Sequence, residues 1–120
     1  MSNNAGEPRG AERREAERYA VRIEAQITDL GTYATLNAEC TNISISGCYI
    51  TTANPYPAGT PIRLSMKEGG VVFDCTARVA YSAWAAGMGV AFVGPLALEK
   101  VGILKDWIAD AALRLRKLPA

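Results

Sequence analysis

VVFDCTARVAY, residues 71–81, decides how the chain folds. Val71, Phe73, Cys75, Ala77, Val79 and Tyr81 fall at alternate positions, with Val72, Asp74, Thr76, Arg78 and Ala80 between them. A period of two sends the first set to one face of a strand and the second set to the other, the pattern of a half-buried strand. Working outward, the same alternation recurs on both sides. Upstream, from Tyr19, Val21, Ile23, Ala25 and Ile27 oppose Arg22, Glu24, Gln26 and Thr28. Asp29 to Gly31 reads as a turn, and a second strand runs from about Tyr33 to Thr41. The polar turn Asn42–Gly47 leads into a third strand, Cys48 to Thr51. Pro55, Pro57 and Gly59 mark a loop, and Ile62, Leu64 and Met66 alternate in a fourth strand that ends at Gly69-Gly70. Downstream of the central stretch, Ser82 to Gly87 is a connection containing Trp84, and Met88 to Val93 is a sixth strand.

Gly94-Pro95 closes the sheet pattern, and from about Leu96 the period becomes helical. Val101, Leu104, Ile108, Ala111 and Leu115 line one face, and Arg114, Arg116 and Lys117 suit the negative pole of the helix dipole. The fold class expected is mainly β: a small six-stranded antiparallel β-barrel with a C-terminal α-helix over about residues 96–117. Closure hides the two edges an open sheet would expose. Residues 1–11 carry Asn, Gly and Pro with no apolar period and read as a flexible arm. Residues 12–118 read as a single domain. Apolar surface on the helix beyond what the barrel covers would drive homodimerisation.

The composition excludes several classes. The chain has 120 residues, 49% apolar and 21% charged, which is globular rather than disordered. No apolar run reaches the roughly 20 residues of a membrane-spanning helix, and the N-terminus has no hydrophobic segment of a secretory signal. The expectation is a cytoplasmic protein without a membrane partner. Histidine is absent, which removes the commonest general base and metal ligand. Cys40, Cys48 and Cys75 are odd in number and lack metal-binding spacing, so they read as small buried hydrophobes. With no nucleophile–base pair in view, the chain reads as a binding protein, not an enzyme, and no metal or other cofactor is expected.

Net charge is +1, so no global field gathers nucleic acid. Placement is more informative. Arg9, Arg13, Arg14, Arg18 and Arg22 are five of the nine arginines, and no lysine lies among them. Glu7, Glu12, Glu15, Glu17 and Glu24 interleave. Arginine without lysine fits a need for the planar fork, which grips phosphate in two places and stacks on flat rings. The competing reading is a solvated, mutually paired charge run.

Two motifs gain meaning together. Arg14-Glu15-Ala16-Glu17-Arg18 is an RxxxR before the first strand, with Arg13 beside it, and Asn42-x-Ser44-x-x-Gly47 forms the turn between the second and third strands. With the Gly87-Met88-Gly89-Val90-Ala91-Phe92 strand and a terminal helix, they resemble the PilZ domain, whose signature is RxxxR followed by [D/N]xSxxG. The resemblance covers about residues 12 to 110. It implies a receptor for cyclic di-GMP, a second messenger with two guanines and two phosphodiesters, and an effector protein that receives the signal in motility, biofilm or polysaccharide control. By position it makes Arg13, Arg14, Arg18, Asn42, Ser44 and Gly47 the ligand-binding residues.

The residue types suit that ligand independently. A spacing of four brings two side chains to one side whether the segment is extended or helical. Each arginine can address phosphate, guanine O6 and N7, or a base face. Guanine also donates, and the Asn42 carbonyl can accept, with Ser44 assisting. Gly47 reads either as a close approach of backbone to base or as a positive φ in the turn. Alone, the turn also reads as Asn and Ser bonding local backbone. Trp84 reads as a stacking surface for a base or as an aromatic cap on the core, and Arg78 as a neighbour of the same surface. On this reading ligand is clamped between the arm and the turn, and the ordered arm changes a protein-binding surface. The competitors are a PilZ-like adaptor that binds protein only and a β-barrel that binds single-stranded nucleic acid.

Overall fold

In the computed structural model the described residues are 17–117. The expected arm and the candidate residues Arg13 and Arg14 lie outside them, as does the side chain of Leu115. Six strands form: β1 (Tyr19–Asp29), β2 (Thr35–Ile43), β3 (Gly47–Thr51), β4 (Pro61–Glu68), β5 (Val71–Ala83) and β6 (Gly87–Phe92). They close into an antiparallel barrel in the order β1-β2-β3-β6-β5-β4, with β4 pairing back to β1. A helix, α1 (Leu98–Lys117), follows. The expected barrel and helix are present. Among the described residues no helix is long and apolar enough to cross a membrane.

Local chemistry sets the hairpins. Glu68 pairs with Val71, leaving Gly69 and Gly70 as a two-residue turn with φ of 58° and 80°. Both central residues of such a turn need positive φ, and glycine supplies it without a Cβ clash. The β1–β2 connection is longer. Asp29 Oδ1 accepts from the Gly31 amide at 2.8 Å, and Tyr33 turns to a φ of 64°. The second strand therefore begins at Thr35 rather than Tyr33.

Alternation puts Ile23, Ala25 and Ile27, Ile62, Leu64 and Met66, and Phe73, Cys75, Ala77 and Val79 inside the barrel. The three cysteines are free and buried. Two residues of the expected inward set are exposed. Val79 pairs with Val90 but Tyr81 pairs with Gly89, so a bulge inserts one residue into β5. An extra residue reverses every side chain beyond it, and Tyr81 lies outside, 49% exposed. Val71, at the hairpin end, is also exposed.

The helix plugs the mouth at which β1 begins and β4 ends. Leu104, Trp107 and Ala111 are buried, and the Trp107 ring lies 6.3 Å from that of Phe73. The expected stripe omitted Trp107 and used Ile108, which is half-buried. At 100° per residue both neighbours flank the same face, and contact with Phe73 selects the indole. At the far mouth Tyr56 donates its hydroxyl to the Ala34 carbonyl at 3.1 Å.

Candidate functional site

The turn after β2 is built from its serine. Ser44 is 1% exposed. Its Oγ accepts from the amides of Ser46 and Gly47, each at 3.1 Å, and donates to the Gly47 carbonyl at 3.1 Å. The Ser44 amide bonds the same carbonyl at 2.8 Å. A hydroxyl has one proton and two lone pairs, so this one is fully used within the turn. Gly47 is buried at the start of β3, opposite Ala91 of β6. A Cβ there would run into the Val90 carbonyl oxygen. Its φ is not among the positive values, so the positive-φ expectation is corrected. The requirement for glycine is the close approach of two strands.

Asn42 is held differently. It pairs with Ala20 of β1 on one side and Tyr49 of β3 on the other. Irregularities flank it on both seams, between Ala20 and Ile23 and between Cys40 and Asn42. Such bulges re-aim side chains. Asn42 points outward while its carbonyl oxygen accepts the buried Cys40 thiol at 3.2 Å. Its Oδ1 accepts from Arg18 Nη1 at 2.9 Å, across 24 positions of sequence. The second arginine of RxxxR and the first residue of NxSxxG are thus in direct contact. Beside them, the Tyr19 hydroxyl donates to Glu17 Oε1 at 2.7 Å, and that bond pushes the phenol above its ordinary value.

The remaining arginines divide. Arg22 meets Glu39 at 3.4 Å on the surface, the paired arrangement of the competing reading. Arg78 donates to the Gly59 carbonyl at 3.0 Å and is drawn toward the loop before β4. Trp84 is 92% exposed at the β5–β6 hairpin, where it borders a hollow with Pro55, Pro57 and Ser82. It does not cap the core; Trp107 does. Among the described residues no three His, Cys, Asp or Glu side chains gather as a metal site.

The outer face holds two residues to which the alternation assigned no binding role. Tyr49 faces outward between buried Cys48 and Ile50. Its ring centroid lies 6.3 Å from that of Tyr81, with 33° between the planes. The outward position of Tyr49 was legible from its buried neighbours; that of Tyr81 depends on the bulge.

The sequence matches the family described as PilZ domain over residues 12–110. No curated protein matches it by sequence. By fold it is similar to YcgR from Escherichia coli, solved in complex with c-di-GMP, with a TM-score of 0.73 and 18% identity over 88% of this chain and 48% of that one. It is similar to the Bacillus subtilis inhibitor of motility MotI/DgrA, with a TM-score of 0.69 and 17% identity over 86% and 53%. It is also similar to the PilZ domain of CeSA from a cellulose-synthesizing bacterium, with a TM-score of 0.63 and 12% identity over 79% and 97%. The chain spans about half the length of the first two.

Proposed function

The chain belongs to the PilZ domain family, and on that footing we propose that it is a non-catalytic cyclic di-GMP receptor working in the cytoplasm. The contact between Arg18 and Asn42 carries this reading. It joins the two halves of the proposed site on one outer face, at the mouth that α1 plugs. A guanidinium and an amide carbonyl side by side provide donors for phosphate or guanine O6 and N7, and an acceptor for guanine N1–H. Arg14 and Arg13 extend the donor set from the segment before β1. Ser44 and Gly47 serve by holding the turn, not by touching the base.

The relay follows from position. The strand β1 begins between the site and the helix, and an open hollow of about 360 Å³ there is lined by Ala20, Val21, Arg22, Glu68 and Arg114. Ligand that draws the segment before Arg18 against the turn alters the surface beside this hollow, and an effector protein reads the change. The test is calorimetric titration with cyclic di-GMP, repeated for Arg14→Ala and Arg18→Ala. The expected result is binding by the intact chain and a loss of about tenfold or more in each variant. Absent heat with the intact chain, or affinity unchanged from the intact chain in both variants, rejects the reading. Amide exchange in residues 1–18 should slow on adding ligand.

A further inference from the structure

We propose that Tyr49 and Tyr81 form a stacking platform for one purine of the bound dinucleotide, immediately beside the Arg18–Asn42 pair; this inference rests on the receptor reading above. Register supplies the first argument. Asn42 pairs with Tyr49, Tyr49 with Gly89, and Gly89 with Tyr81, so these positions form one row across the outer face of four strands. The β5 bulge brings Tyr81 into that row.

The glycines supply the second. A Cβ at Gly89 would overlap the Tyr81 ring, and one at Gly87 would fall 2.8 Å from Tyr49 Cε2. Each ring therefore lies across a strand at a place without a side chain. The Tyr81 ring covers the Gly89 position, the hydroxyl end of the Tyr49 ring covers Gly87, and Tyr81 keeps about half its surface open to solvent. Two rings side by side at 6.3 Å, tilted by only 33°, tile an area suited to the fused rings of a purine. Every base has a π-face that stacks on such a surface. A purine resting on Tyr49 presents its rim to Asn42 and Arg18, where guanine can accept from the guanidinium and donate to an amide carbonyl.

The competing role for these tyrosines is to cover the bare glycine backbone. The test separates the two. Cyclic di-GMP is titrated into the full chain and into Tyr49→Leu, Tyr81→Leu and Tyr81→Phe, and thermal unfolding of each is recorded. Leucine still covers the glycines but offers no plane. The expected result is weakening of about ten- to a hundredfold for each leucine variant, affinity near wild type for Tyr81→Phe, and an upfield shift of a guanine H8 resonance in the wild-type complex. Wild-type binding without that shift, or leucine variants that bind as tightly, overturns the platform and leaves the receptor intact. No binding by the wild type removes the receptor reading itself.

Discussion

Replacing Ser44 by alanine strips the buried Gly47 amide and the more exposed Ser46 amide of their shared acceptor. An unsatisfied buried donor costs about 1–3 kcal/mol, so Ser44→Ala should lose about 2–3 kcal/mol in urea unfolding with an unchanged m value. Gly47→Ala should lose about 3 kcal/mol, because its methyl meets strand backbone, which yields less than a side chain. Among the described residues, Asn42→Ala breaks a solvent-facing bond to Arg18. It should change stability by less than about 1 kcal/mol while weakening dinucleotide binding. A large stability loss in Asn42→Ala would place that residue with the structural pair. The motif thus joins one residue with free chemistry to two that hold its position.

The helix is anchored through Leu104, Trp107 and Ala111. Phe73 lies against both Trp107 and Phe92, with ring centroids 6.3 and 5.4 Å away. Trp107→Ala should cost about 3–5 kcal/mol, the range for removing a large buried aromatic. Gly102, in the second turn of α1, is the opposite case. It has helical backbone, and a Cβ there meets nothing within 4 Å. Gly102→Ala should therefore stabilise by about 0.5–1 kcal/mol, read as a raised unfolding midpoint. A fall would reveal a neighbour for that face. Strand elements behave otherwise: the bulge in β5 changes which face Tyr81 occupies without shortening the strand.

Across the whole molecule, closure of the barrel encloses three thiols. Burial pushes Cys75 up from the ordinary thiol value of 9.0 to about 11, and hydrogen bonding to Cys40 together with burial raises Cys48 well above 9.0. Such a group holds its proton more tightly when folded. Its contribution is complete below the unfolded value and is lost as pH rises from about 9 through about 11. Stability should fall across that interval, and Cys75→Ala should flatten the slope; an unchanged slope in the variant would assign the loss to other groups. At neutral pH the native thiols should resist an aromatic disulfide reagent until the barrel unfolds. The same closure sets the geometry of the proposed site, because the Asn42 turn, the start of β1 and the helix all lie at one mouth.

Alternation and turn residues were enough to determine six strands, their antiparallel order of appearance, the barrel and the terminal helix. Each follows from the periods of neighbouring residues and from local backbone chemistry. The RxxxR and NxSxxG spacings likewise named the residues proposed for the site. The local bonding of Ser44 was one of the two readings that the residues of its turn allowed. Contact between Arg18 and Asn42, the strand-packing reason for Gly47, the outward Tyr81 and the choice of Trp107 over Trp84 as core cap came only with the tertiary structure. These four depend on which element lies beside which and on a one-residue bulge that reverses a face, and periodicity along one segment carries no information about either.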